Sequence, residues 1–245
     1  MDDSRNSNAP KSNGTPDRMI GDKRVLAVVP ARGGSKGIPG KNLKMIAGRS
    51  LLHRTIDQAL AAKTVDEIVV TSDDQEILRH ANEIDGVRTI ERPSDLAADD
   101  TAMWPVVMHA LDNSERCDVV VLLQPTSPLR LATDIDTAVT MLSQRNVNSV
   151  MSVCEVATSP YWMFTIDSGE RLQRILPKQQ VATRQELPTC YEINGALYVV
   201  NSNWFRSSQQ FVDEETLAYV MPRERSVDVD TLEDLATAER LLSGA

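Results

Sequence analysis

Five apolar residues, 25–29 (VLAVV), lead through Pro30 into a glycine-rich basic loop, ARGGSKGIPGKN, at 31–42. The run is too short for a helix and rich in β-branched side chains, which predicts a buried strand. The loop carries Arg32, Lys36 and Lys41 among Gly33, Gly34, Gly37 and Gly40. Glycines let backbone N–H groups crowd around an anion, and basic side chains add the charge that amides lack. Such a loop suits a triphosphate; the alternative is a solvated basic turn. It is not a P-loop, because Ser35 stands where G-x-x-x-x-G-K-[ST] needs its first glycine and Asn42 where it needs a hydroxyl. Nor does 33–37 have the spacing of G-x-G-x-x-G, and Pro39 would interrupt a helix opening directly on the loop.

Downstream, apolar periodicity switches repeatedly between the two regular types. Strands are expected at 66–71, 87–90, 118–123, 149–153, 196–200 and 217–221. Helices are expected at 50–62 with Ser50 as N-cap, at 74–84, at 101–111 with Pro105 in the first turn, at 133–144 and at 231–242. This alternation predicts an α/β fold, a single doubly wound, mostly parallel sheet with helices on both faces. DVVVLL at 118–123 is the most apolar strand and belongs near the centre. The rhythm breaks over 157–190, where Tyr161-Trp162-Met163-Phe164 precede a turn at Asp167-Ser168-Gly169 and a polar, proline-punctuated stretch. An aromatic cluster in such an insertion suits either a satellite core or a subunit interface. Residues 1–22 are polar and predict a disordered tail without the apolar core of a signal peptide, leaving 23–245 as one domain. Met19, just before the first strand, is an alternative start.

A formal net charge of −9 argues against nucleic acid or an anionic membrane as partner, and no apolar run reaches membrane-spanning length. An anionic ligand must therefore be met by local positive charge, as in the 31–42 loop. Cys117, Cys154 and Cys190 are odd in number and widely spaced, which predicts reduced thiols in a cytoplasmic protein. His53, His80 and His109 are equally scattered and suggest no histidine-ligated metal.

Parallel sheets bind ligands beyond the carboxyl ends of their strands. Three segments sit there: the Arg32 loop, Ser72-Asp73, and QPTSPLR at 124–130, whose two prolines hold it rigid and whose Gln124 amide can donate and accept. The last can also be read as a tight strand-to-helix turn. Asp228-Val229-Asp230 is the second anchor. In a strand, positions i and i+2 share a face, so two carboxylates would project together and repel unless a cation intervened, such as the Mg²⁺ a triphosphate brings. Alternatively Asp230 is the N-cap of the last helix, with Glu233 completing a capping box.

ARGGSKGIPGKNL resembles the signature of the CMP-sialic acid synthetase family, the acylneuraminate cytidylyltransferases, legionaminic acid-type members included. The resemblance runs from about Lys23 to the end, through QPTSPLR, RQELP with NGALY, and SVDVDTLEDL in the family's order. It implies a Rossmann-like nucleotidyltransferase that joins CTP to a nine-carbon 2-keto-3-deoxy sugar acid and releases pyrophosphate. By the same resemblance Ala31, Arg32, Gly33, Ser35, Lys36, Lys41, Asn42, Ser72, Asp73 and Arg92 contact the nucleotide. Gln124, Ser127, Arg184, Asn194 and Tyr198 place the sugar, Asp228 and Asp230 hold Mg²⁺, and Arg32, Lys41 and Asp228 carry the catalysis. It also implies a homodimer formed through the 157–190 arm, with Arg184 reaching the neighbouring subunit's site. Two departures fall on the sugar side. Trp162 stands where many sialic acid activators have a lysine, and Glu192-Ile193 precede Asn194 where an arginine is found. They make a bacterial analogue such as legionaminic acid a serious candidate. The competing readings are activation of an eight-carbon sugar acid or a sugar-1-phosphate, a D-x-D glycosyltransferase that consumes a nucleotide sugar, and a catalytically silent regulatory nucleotide binder.

Overall fold

All six residues of the first strand, β1 (Val25–Pro30), are buried. Val25, Ala27 and Val29 enter one apolar cluster, while Leu26 and Val28 enter another on the opposite face. That two-sided burial is what a continuous apolar run means in a parallel sheet. In the computed structural model, the described residues are 20–35, 37–177 and 186–244. After β1 come the small hairpin β2 (Met45–Ile46) and β3 (Arg49–Ser50), α1 (Leu51–Ala61), β4 (Glu67–Ser72), α2 (Gln75–Asn82) and β5 (Val87–Glu91). The chain continues through α3 (Met103–Asp112), β6 (Val119–Leu122), α4 (Ala132–Arg145) and β7 (Ser149–Glu155). Then follow the hairpin β8 (Phe164–Ile166) and β9 (Leu172–Arg174), β10 (Tyr191–Asn201), α5 (Ser202–Ser208), β11 (Leu217–Val220) and α6 (Leu232–Ser243).

The main sheet has seven strands in the order β11-β7-β10-β6-β1-β4-β5. Helices α1, α2 and α4 cover one face through Leu52, Ile56, Ile77 and Ile135. Helices α3 and α5 cover the other through Val107, Leu111 and Phe205. The predicted α/β architecture is therefore present, with β6 next to β1 at the centre. Ser50 caps α1 by accepting from the His53 amide, as expected, and Asp74 does the same for α2.

Four expectations need correction. The 196–200 strand does not resume the parallel rhythm: β10 is longer and runs antiparallel to both β6 and β7. The inserted arm leaves the end of β7 and returns at that same end, Tyr191 pairing with Glu155, so the returning strand must run backwards. The segment holding Asp228 and Asp230 is not a strand but an irregular stretch. Its backbone is pinned to the 124–131 loop by a bond from Val229 N–H to the Thr126 carbonyl (2.8 Å), and to the core by complete burial of the Val229 side chain with Ile38, Ile46 and Leu51. Burying a side chain of that size is worth about 1.5–3 kcal/mol, enough to fix a loop without a ladder. Thr231 and not Asp230 caps α6, with Asp234 in place of Glu233 as the partner of the capping box. Ile20, assigned to the tail by composition, is buried in the core; the expected disorder of residues 1–19 lies outside the described residues.

From β1 the chain winds outward to β4 and β5, then crosses to β6 on the other side of β1. The connections leaving β1 and β6 thus diverge, opening a crevice at their carboxyl ends. The 31–42 loop forms one side of it and the 124–131 loop the other.

Candidate functional site

Ala31 continues the β1 ladder by donating to the Thr71 carbonyl (3.0 Å), after which the chain turns into the loop. The buried Asn42 folds the loop back on itself, its amide donating to the Arg32 carbonyl (2.9 Å). Two glycines are required by close approach. A Cβ on Gly33 would lie 2.5 Å from the Asp74 carboxylate, and one on Gly37 2.5 Å from the Asp230 carbonyl. Gly40 adopts a φ of 62°, a left-handed turn that delivers Lys41 into a short 3-10 turn at Lys41–Leu43. From there the Lys41 ammonium donates to the Val229 carbonyl and to Asp230 Oδ1, both at 2.8 Å. The basic loop and the Asp228–Asp230 segment are thereby tied together, Lys41 and Val229 lying 188 residues apart in sequence.

The carboxyl ends of β4 and β5 brace this loop. Asp73 accepts from the Gly33 amide (3.2 Å) and from the Arg92 guanidinium (3.4 Å). Arg92 is buried, and burial lowers its pKa against the countering charge of Asp73. Ser72 is also buried, its hydroxyl accepting from the Asp74 amide. Arg32 is held by Asp99 (2.8 Å). A cleft of about 380 Å³ opens between these elements, with Arg32, Ser35, Lys41, Asn42 and Arg92 in its walls. Gln124, Pro125 and Thr126 from beyond β6, Met103 from α3 and Asp230 close the other side. A cavity of this size, polar and lined by three cations, is matched to an anionic small molecule.

A second group of side chains gathers beside that cleft. β10 carries an irregularity between Ile193 and Tyr198, where Gly195 takes a φ of +73°. A Cβ there would stand 3.0 Å from Gln124 Oε1, 3.7 Å from Ser127 Oγ and 3.8 Å from Asp228 Oδ2. The glycine therefore sits on the floor on which Gln124, Ser127 and Asp228 converge. Ser127 is 1% exposed, and its hydroxyl has no hydrogen-bond partner among the described residues. Tyr198 flanks the group, half-buried against Phe211, and burial together with the charge of Asp228 pushes its phenol pKa up. Asn194 is different: its amide is consumed below the surface, accepting from Ser152 Oγ (2.6 Å) and donating to Ser226 Oγ (2.9 Å). It holds the irregularity of β10 in shape.

Asp228 is open to solvent on one side, yet the protein crowded around it raises its carboxyl above the ordinary aspartate value. The Thr126 side chain and Lys41 favour its charged form, and Asp230 opposes it. Asp234 fixes the backbone of this pair, Oδ2 accepting from the amides of Asp230 (3.1 Å) and Thr231 (2.8 Å). The two carboxylates are close enough to repel, and they border a cleft built for an anion. That donor set fits Mg²⁺, which is commonly held by one or two carboxylates together with substrate phosphates.

Of the residues named from sequence, Arg32, Ser35, Lys41, Asn42, Arg92, Gln124 and Asp230 line one cleft. Ser127, Tyr198 and Asp228 stand beside it, while Ala31, Gly33, Ser72 and Asp73 support it from behind. Lys36 and Arg184 lie outside the described residues. Sequence reasoning missed Met103, Thr126, Gly37 and Asp234. Thr126 lay inside a motif already singled out, whereas nothing distinguishes Met103 from a core residue. Glu192, one of the two departures, pairs with Arg223 (3.4 Å) at the surface.

A family model described as Cytidylyltransferase matches residues 26–241. The chain is 34% identical over 224 residues to the CMP-N,N'-diacetyllegionaminic acid synthase of Legionella pneumophila, covering 89% of this chain and 96% of that one. It is 31% identical over 212 residues to the N-acylneuraminate cytidylyltransferase of Streptococcus agalactiae, covering 86% of this chain but only 51% of that longer protein. Among solved structures, CMP:2-keto-3-deoxy-manno-octonic acid synthetase in complex with CTP superposes with a TM-score of 0.69 at 16% identity, over 91% of this chain and 99% of the other. At that identity the likeness is one of fold.

Proposed function

This chain belongs to the cytidylyltransferase family, and from that premise we propose that it joins CTP to a nine-carbon 2-keto-3-deoxy sugar acid of the sialic or legionaminic type. The anomeric hydroxyl attacks the α-phosphorus of CTP, a P–O bond forms, the α–β anhydride bond breaks and pyrophosphate leaves. Arg32, Lys41 and Arg92 neutralise the triphosphate, stabilising charge without forming a covalent intermediate. Gln124, Ser127 and Tyr198 orient the sugar acid. Asp228, beside both groups, is positioned to accept the hydroxyl proton. Asp228 and Asp230 would hold Mg²⁺, which supplies charge neutralisation at the phosphates when bound.

The observation that carries this reading is the Lys41 bridge, which joins the basic loop to the aspartate pair at the mouth of the cleft. A D-x-D glycosyltransferase has no need of such a basic loop for a leaving pyrophosphate. The 34% identity to a legionaminic acid-activating enzyme over nearly its whole length favours that type of sugar, as do Trp162 and Glu192 at the two sugar-side departures.

The test is pyrophosphate release from CTP, with Mg²⁺ and after its chelation, across sialic, legionaminic, pseudaminic and eight-carbon sugar acids. Release is expected with a nine-carbon acid and is expected to stop on chelation. Release with the eight-carbon acid alone would overturn the substrate class, and silence with every sugar despite CTP binding would leave the regulatory reading standing.

The active form is proposed to be a homodimer built on the arm. Trp162, Ile166, Leu172, Ile175, Tyr191 and Ile193 are exposed there, each at least half accessible. A protein seldom leaves so dense an apolar cluster to water. The arm leads directly into β10, so a partner docked on it would stand next to the sugar end of the cleft. A cytoplasmic location is also proposed, in keeping with three cysteines that form no disulfide.

A further inference from the structure

We propose that a second cavity, of about 310 Å³ and on the far side of the 124–131 loop, binds a small effector that carries one anionic group on a ring or other compact apolar body, and that its occupation loosens the Gln124 end of that loop. The cavity lies between α1, the loop and the last turn of α6, with Leu129, Leu131, Leu241 and Leu242 as its apolar walls.

Its charges do not balance within the site. Asp57 is taken by Arg49 (2.6 and 2.9 Å), and Arg225 is taken by the buried Asp134, so these two pairs are neutral. Arg54 and Arg130 remain, and every hydrogen bond seen for them ends on a backbone carbonyl. Arg54 donates to Ile46 (2.6 Å) and Ala47 (2.8 Å), and Arg130 to Ala196 (2.7 Å) and Gln124 (3.3 Å). Arg130 is 2% exposed, lines the cavity, and has an Nε with no partner among the described residues. A guanidinium so deeply buried is ordinarily matched by a carboxylate or phosphate in contact with it. Burial lowers the pKa of both arginines, that of Arg130 to about 10, although Asp134 acts on Arg130 and Asp57 on Arg54 from a distance; neither carboxylate is hydrogen-bonded to them, and a bound anion in contact would offset the remaining cost. Glu224, the remaining acid of the lining, is exposed at the rim.

The loop is a shared wall. Gln124, Pro125 and Thr126 face the first cleft, and Pro128 to Leu131 face the second. The Arg130 bond to the Gln124 carbonyl spans the two. An anion that draws on the Arg130 guanidinium competes with that bond.

The probe is phenyl phosphate, titrated calorimetrically into the full chain saturated with CTP so that the phosphate loop is already occupied, with inorganic phosphate and phenol as half-probes. Phenyl phosphate is expected to bind at least tenfold more tightly than either. Leu241→Trp, which fills the cavity from the α6 side and leaves both arginines in the sequence, is expected to weaken it tenfold or more and leave CTP affinity unchanged. Arg54→Met is expected to weaken phenyl phosphate and not phenol. Hydrogen exchange at the amides of 124–127 should rise at least twofold on binding. No binding at millimolar probe, or equal binding by the Leu241→Trp protein, overturns the site. Binding with unchanged exchange overturns the coupling. Neither readout depends on turnover, so both stand apart from the fate of the proposed reaction.

Discussion

Lys41 and Gly195 show how much of the site rests on single positions. Lys41 reaches Asp230 and the Val229 carbonyl from the wall of the cleft, so removing its charge while keeping an unbranched side chain should affect chemistry more than folding. Lys41→Met is expected to lower kcat/KM for CTP by about 10²–10³-fold, the usual cost of deleting a stabilising donor, with a thermal midpoint close to wild type. Gly195 is the converse case. Its φ of +73° costs an L-residue about 1–2 kcal/mol, and a methyl group would press on Gln124 Oε1 at 3.0 Å. Gly195→Ala should therefore lose that much stability in urea melts and raise KM for the sugar acid severalfold while leaving KM for CTP nearly unchanged. Equal effects on both substrates would place Gly195 outside the sugar half of the cleft. Most of these residues were legible in the sequence because glycine, lysine and aspartate at such densities have few structural uses. What was not legible is which of them touches ligand and which braces a neighbour. Asn194 looks like a contact in one dimension, but its amide is spent on Ser152 and Ser226, and Asp73 gives one carboxylate oxygen to Gly33 and Arg92.

At the level of elements, α4 and β11 are locked to the C-terminal segment by one buried acid. Asp134 accepts from Tyr219 Oη (2.7 Å), from the Leu131 amide (2.8 Å) and from both terminal nitrogens of Arg225. Burial alone would raise its pKa, but the Arg225, Leu131 and Tyr219 bonds together hold the carboxyl below the ordinary value. Tyr219 is pushed up to about 12 by burial and by donating to that carboxylate. A depressed folded pKa stabilises the native state above the unfolded value, near 3.9, and that stabilisation fades as pH falls through the folded one. Asp134→Asn is expected to cost about 3 kcal/mol at pH 7, and the deficit should shrink below about pH 4, where the carboxyl of the unfolded wild-type chain takes up its proton while the folded one still resists it. Urea midpoints at pH 7 and pH 3.5 measure this, and an identical deficit at both would remove Asp134 as the titrating group. The elements themselves were largely predictable, since Ser50, the apolar 118–123 run and the stripe of α1 each carry a local signal. The direction of β10 carried none, because it is decided by where a long insertion returns and not by any residue of the strand. The short α5, and the DVD segment that mimics a strand while forming no ladder, escaped for the same reason: tertiary contacts set them.

Across the whole molecule, the exposed arm is the feature most in need of a partner. Leu172→Asp together with Ile166→Asp, on facing strands of the β8–β9 hairpin, should convert a dimer to a monomer in light scattering and lower turnover while leaving CTP binding within about twofold, as expected for a site completed on its sugar side only. A wild-type protein that is already monomeric at micromolar concentration would remove the arm from this role. The strand order gives the molecule one more property. The loops proposed to grip the nucleotide issue from β1, β4 and β5, whereas Gln124, Gly195 and Tyr198, proposed to meet the sugar acid, come from β6 and β10 on the opposite side of the switch point. Recognition is thus divided along the chain as well as in space. Mutation can explore one half without disturbing the other, so a lineage built on this scaffold can exchange the acid it activates while its demand for cytidine stays fixed, and a laboratory graft of the 191–198 segment offers the shortest route to repeat that drift by hand.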